Sequence, residues 1–195
     1  MFVSNALIGL REGLEAALVV VILVAFLVKT DRRWALRHVW VGVGAAVVLA
    51  MGIGAALTFG AGELEEGTEE LVGGIASLVA VGLVTTMIFW MRSVGRAFAG
   101  QLTGRLDRAV DLGGVAIATV AFVGVGREGM ESALFFFATV QSATNEGVAP
   151  ALGWLVGLAA AALLGVAIYR GAVRIDLGRF FRWTGVALVV VAAGI

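Results

Sequence analysis

The chain has no cysteine, one proline, one histidine and few charges: Asp, Glu, Lys and Arg make up 14% of its 195 residues. Without cysteine there is no disulfide, no thiolate metal site and no thiol nucleophile. The lone His38 falls in a basic stretch and reads as a solvated loop residue, so imidazole-based metal binding also has no material. A soluble domain commits about a quarter of its residues to charge in order to cover its own surface. This chain is 61% hydrophobic with a mean hydropathy of +1.02 and has little to cover a surface with. A cleavable signal peptide is missing too. Met1-Phe2-Val3-Ser4-Asn5 offers no basic start, and the apolar run behind it is too long for a signal core, so the first helix is expected to direct insertion. No nucleophile–base set, nucleotide loop or cofactor motif is present, which predicts neither an enzyme, nor a permanently bound cofactor, nor a nucleic-acid partner.

What the chain does have is apolar length. Six segments stand out, at 2–28, 39–60, 71–91, 112–140, 150–169 and 183–195. The first five can each cross a hydrocarbon core about 30 Å thick at about 1.5 Å per residue. The sixth stops while its apolar pattern is still running, so the chain is expected to end inside a helix. No linker divides it, and 1–195 is read as one all-α, polytopic transmembrane bundle. Twenty-eight glycines suit closely packed membrane helices, and Gly153-x-x-x-Gly157 marks one helix contact.

The zero net charge conceals an alternation. Lys29, Arg32, Arg33 and Arg37 occupy the first loop, Arg92, Arg96, Arg105 and Arg108 the third, and Arg170, Arg174, Arg179 and Arg182 the fifth. The second loop carries Glu63, Glu65, Glu66, Glu69 and Glu70 instead, and the fourth only Glu146. Positive charge collects on the cytoplasmic side, which places the odd loops inside and the N-terminus outside. Trp34, Trp40, Trp90, Trp154 and Trp183 fall near predicted helix ends, where interfacial indoles belong.

Two basic residues are missing from that loop inventory, Arg11 and Arg127, and both lie inside spans. Ile8-Gly9-Leu10-Arg11-Glu12-Gly13-Leu14-Glu15-Ala16-Ala17-Leu18 resembles Gly124-Val125-Gly126-Arg127-Glu128-Gly129-Met130-Glu131-Ser132-Ala133-Leu134, 116 positions later. The first copy enters the membrane from outside, the second from the cytoplasm, which predicts inverted three-helix repeats of the kind transporters use. Taking Arg11 as zero, Glu15 lies at about 40° and Glu12 at about 100°, so the three charges share one helix face and Gly13 lies behind it. A charge at the bilayer centre costs about 2.5–3.5 kcal/mol. Arg11 with Glu15 and Arg127 with Glu131 form i,i+4 pairs that relieve part of that cost, leaving roughly one uncompensated carboxylate per motif. Four carboxylates and two guanidiniums meeting between helices would suit a multivalent hard cation. Two other readings of these residues stay open: ion pairs that merely lock the helices, and a proton relay. Met130 reads as packing. Thr85 and Thr86 offer hydroxyls that more often bond back to their own helix.

Two Arg-Glu-Gly-x-Glu helices in an N-outside membrane chain resemble the oxidase-dependent iron transporter family, the iron permeases of fungi and bacteria. Ile88-Phe89-Trp90-Met91-Arg92, Leu177-Gly178-Arg179-Phe180-Phe181-Arg182-Trp183-Thr184 and Val191-Ala192-Ala193-Gly194 are similar to the bacterial branch, so the likeness runs along the whole chain. The resemblance implies a seven-helix inner-membrane permease carrying iron as its substrate, with Glu12, Glu15, Glu128 and Glu131 as metal ligands and Arg11 and Arg127 as their electrostatic partners. It also implies a periplasmic partner that delivers or oxidises the metal. A seventh helix is expected beyond the segments seen here. Where the family tends to show Glu-x-x-Glu-Gly at the start of helix 3, this chain reads Glu70-Leu71-Val72-Gly73-Gly74. The acidic run Glu63, Glu65, Glu66, Glu69 and Glu70 is either a cation-collecting mouth or a plain solvated loop. Manganese, or another hard cation, is the alternative substrate on the same scaffold.

Overall fold

In a computed structural model of the chain, residues 2–61, 97–141, 148–171 and the short pieces 74–75, 78, 82 and 183–186 are described. Among them there is no strand. The elements are α1 (Phe2–Lys29), a 3-10 turn (Arg33–Ala35), α2 (Leu36–Ala61), α3 (Ala97–Leu112), α4 (Gly114–Gln141) and α5 (Ala149–Tyr169).

α1 ends by a defined device. Asp31 takes a left-handed conformation, φ 59°. Its N–H donates to the Val28 carbonyl, and the Arg32 N–H reaches back to the Leu27 carbonyl at 2.8 Å. This is the Schellman arrangement, which satisfies the last carbonyls of a helix and turns the chain, here with Asp where glycine is commoner. The turn sends α2 back alongside the first span.

α1 packs chiefly on α5, and α2 chiefly on α4. Both seams are made of small residues four apart: Gly42, Ala46, Ala50 and Gly54 on α2, and Gly153, Gly157, Ala161 and Gly165 on α5. A Cβ on Gly153 would strike the Phe2 carbonyl, and one on Gly157 the backbone of Ala6 and Leu10. On the other seam a Cβ on Gly42 would strike the Ala118 carbonyl. Backbone can approach backbone this closely only where side chains are absent. Order along the seams shows that α1 and α5 run parallel, as do α2 and α4. α1 and α4 run antiparallel, with Val19 against Gly124 at one level and Glu12 and Glu15 beside Glu128 at the next.

The outer faces of this assembly are apolar. α2 exposes Trp40, Val41, Val48 and Met51, and α5 exposes Leu155 and Leu163. The stretches Arg33–Thr58 and Ala149–Tyr169 have the length and apolarity to cross a membrane. α1 and α4, at 28 residues each, have the length, and each carries three motif charges inside it. Apolar outside and charged at its centre, the molecule is an all-α membrane helix bundle.

Two expectations need correction. The third basic stretch is not simply a loop: residues 97–112 form α3, because Leu102, Leu106 and Ala109 recur at helical spacing and bury against Val19, Leu23 and Leu27 of α1 and Ile117 and Ala121 of α4. His38 is not a loop residue either. It sits in the first turn of α2, edge-on to Trp34 with ring centroids 6.0 Å apart, and its ring fills the space beside Gly114. The acidic run Glu63–Glu70, Thr85 and Thr86 lie outside the described residues.

Candidate metal centre

The two motifs face each other where α1 crosses α4. Each is placed by its glycine. Gly13 lets α5 close on the back of α1, where a Cβ would come 2.8 Å from the Ala161 Cβ. Gly129 lets α2 close on the back of α4, where a Cβ would come 2.9 Å from the Ala50 Cβ. With the backs so occupied, the charged faces can only turn toward one another.

Glu12, Glu15 and Glu128 come together, each offering a carboxylate oxygen within 4.8 Å of the others. That spacing lets three carboxylates converge on one hard cation, whose oxygen ligands lie at about 2.0–2.6 Å. Glu131 is buried nearby but is not one of this trio. Its Oε1 accepts a hydrogen bond from Arg127 Nε at 3.0 Å. In the first motif Arg11 lies between two acids, with Nε 3.5 Å from Glu15 Oε1 and Nη1 3.8 Å from Glu12 Oε1. The two arginines therefore differ. Arg11 is 1% exposed and shared, whereas Arg127 is 44% exposed and committed to Glu131.

Several carboxylate oxygens are left without hydrogen-bond donors: both of Glu12, Oε1 of Glu15, and Oε2 of Glu128 and of Glu131. A buried carboxylate ordinarily gathers donors, since leaving it without them costs at least as much as a lost hydrogen bond. Here three of the carboxylates instead face one another, with Arg11 beside Glu12 and Glu15. Such a set can take up a hard cation between its oxygens.

Two buried polar groups escaped the reading of the sequence. Asn5, fully buried, lies two turns from Glu12 on the same side of α1, and Ser132 lies one turn from Glu128 on α4. Both lie in apolar helices and carry no motif, so only their helical phase relative to the glutamates could have singled them out. Met130 is 43% exposed on the outer face of α4 and contributes to neither core nor site. Gly153-x-x-x-Gly157 serves the α1–α5 seam within one chain.

Residues 2–195 match the iron permease FTR1 family. The chain is 41% identical over 199 residues to a ferrous iron permease EfeU of Escherichia coli O6:H1, an alignment that takes in 100% of this chain and 71% of that protein. To a ferrous iron permease EfeU of Shigella sonnei it is 42% identical over 193 residues, with 97% and 69% covered. To one of Yersinia pestis it is 41% identical over 192 residues, with 97% and 67% covered. No solved structure matches the chain.

Proposed function

The chain belongs to the iron permease FTR1 family, and on that premise we propose that it moves iron across the inner membrane into the cytoplasm through the carboxylate centre between α1 and α4. The observation that carries this reading is the convergence of Glu12, Glu15 and Glu128 within 4.8 Å, at the middle of a bundle whose outside is apolar. Glu131 completes the ligand set by exchanging Arg127 for the metal. Arg11 and Arg127 keep the empty site from carrying four unbalanced negative charges and limit proton uptake by the glutamates.

The names of the relatives specify ferrous iron, and Fe²⁺ is the ion we assign to this chain. Carboxylate oxygens bind it well without holding it irreversibly, whereas a thiolate site would favour softer metals. The alternating loop charges support a multi-pass topology with the N-terminus outside, which puts Glu63–Glu70 on the periplasmic side. Negative charge there concentrates cations at the mouth and suits a periplasmic partner that delivers or oxidises iron.

The test is uptake in liposomes by the full-length protein that carries this chain, with Fe²⁺ kept reduced and Mn²⁺ and Zn²⁺ run in parallel. Iron entry that disappears in Glu128→Gln, a variant that strands no arginine and remains folded, is the expected result. Preferential Mn²⁺ entry would reassign the substrate. No entry of any ion, by protein of verified fold, would leave the motifs as structural ion pairs.

A further inference from the structure

α3 meets α4 across a single residue, Gly113, whose φ of 101° makes the corner. Its apolar side is spent on the core through Leu102, Leu106 and Ala109. On the outside of that corner a groove of about 590 Å³ runs between the two helices, lined by Arg105, Arg108, Ala109, Leu112, Ala116 and Val120. Thr119 also borders it, but its hydroxyl donates to the Val115 carbonyl. The two guanidiniums are thus the groove's strong polar groups.

Neither has an acidic partner among the described residues. Asp107, between them in sequence, turns to Arg32 of the first loop. Arg108 spends its Nε on the Gly104 carbonyl, and its terminal nitrogens are not engaged by any described group. Next to the arginines the wall is largely apolar, formed by Ala109 and Leu112 of α3 and Ala116 and Val120 of α4, with Leu112 80% exposed. One end of the groove is cationic and the other greasy. A free inorganic anion would use only the first half, and a neutral acyl chain only the second.

We propose that this groove holds an anionic phospholipid of the cytoplasmic leaflet, its phosphate between Arg105 and Arg108 and an acyl chain along Ala116 and Val120. Charge complementarity selects the headgroup, and the membrane position of the α3–α4 corner supplies the chain. Basic pockets at the cytoplasmic ends of membrane helices take anionic headgroups for the same reason. The bound lipid ties α3 to the leaflet surface and so fixes the end of α4, the helix that carries Glu128. The inference rests on the membrane topology and not on iron transport.

The experiment is native mass spectrometry of the full, delipidated chain titrated with phosphatidylglycerol or phosphatidylcholine. Two basic residues near an anionic surface give an expected preference for phosphatidylglycerol of roughly tenfold to thirtyfold. The double variant Arg105→Gln/Arg108→Gln should lose that preference, while Arg170→Gln, another basic residue of the same membrane side, should keep it. Both arginines are exposed, and equal unfolding temperatures in neutral detergent confirm that lost binding is not lost fold. Ala116→Trp, which fills the apolar half, should weaken retention with the arginines intact. Equal retention of the two lipids, a preference unaffected by the double variant, full retention in Ala116→Trp, or complete displacement by millimolar inorganic phosphate would each overturn the proposal.

Discussion

Gly13 and Gly129 are structural equivalents: each sits behind the charged face of its own motif and each admits an alanine of a neighbouring helix, Ala161 for the first and Ala50 for the second. The equivalence extends along both seams. Gly153 meets the Phe2 carbonyl as Gly42 meets that of Ala118, and Gly165 faces Ala17 as Gly54 faces Ala133. One shift of 116 positions carries α1 onto α4, and one of 111 carries α2 onto α5. The halves exchange partners, α1 taking the α5 of the other half and α4 the α2. A site at such a crossing is built from both repeats, and neither half can form it alone.

Seams made by backbone contact tolerate no added carbon. Gly157→Ala would drive a methyl into the backbone of Ala6 and Leu10, which belongs to the motif helix and cannot swing aside. The expected loss is about 1–3 kcal/mol, with reduced iron uptake as α1 tilts. Gly44→Ala, with nothing within 4 Å of the new carbon, should leave both unchanged. Thermal unfolding of the two variants in one detergent checks the contrast; equal behaviour would mean the seam is not where the helices grip.

The arginines should separate in the same assay. Removing Arg11 as Arg11→Met leaves Glu12 and Glu15 buried without their nearest positive charge, and stranding one partner of a buried ionic group costs about 3–5 kcal/mol. Arg127 is 44% exposed and is paired with one acid, Glu131, where Arg11 lies against two, so Arg127→Met strands fewer carboxylates and should destabilise less. Identical drops in unfolding temperature would argue that the observed difference in burial has no energetic weight.

Much of this was legible in the sequence because charges inside apolar helices leave few arrangements open. Arg11, Glu12 and Glu15 had to leave the lipid, and their repeat at Arg127, Glu128 and Glu131 in a helix of opposite direction supplied the surface to meet. The small residues every fourth position on α2 and α5 were visible as well, but composition alone does not say which helix they close on. Helix α3 was hidden by its own charges: Arg105 and Arg108 read as a basic loop between spans, and the weaker Leu102, Leu106, Ala109 spacing lies underneath. That Glu131 stays apart from the other three glutamates was not readable at all. Both arginines have an identical i+4 acid, and what separates them is burial, a property of neighbouring helices rather than of the motif.

Acid should weaken the site. A carboxylate must be ionised to ligate iron, so binding displaces protons and affinity falls as protons compete for the same oxygens. Iron affinity, measured anaerobically from neutral to mildly acidic pH, should decrease steadily, and the slope should be shallower in Glu12→Gln, which has one fewer group to protonate. Affinity that rose on acidification, or a slope indifferent to the substitution, would remove the carboxylates from metal binding.

The last prediction separates ligand from scaffold within the cluster. A Glu→Gln change keeps shape and removes charge, but its consequence depends on which arginine is left behind. Glu131→Gln takes its acid from Arg127, which is not sealed in the core as Arg11 is, so the protein should fold and uptake should fall partially. Glu15→Gln deprives the sealed Arg11 of one of its two acids, and loss of stability should accompany loss of uptake. Glu128→Gln is the informative change. Glu128 makes no described ion pair and lies within 4.8 Å of two like charges, so removing its charge relieves repulsion. The variant should unfold at the parent temperature or above it while iron uptake collapses. Uptake and unfolding temperature measured on these three variants and on Glu12→Gln then give a pattern no purely structural role produces, because a role confined to ion pairing would make Glu128 the most dispensable of the four glutamates. Full uptake by Glu128→Gln would take this residue out of the pathway, and full uptake by all four would end the carboxylate mechanism.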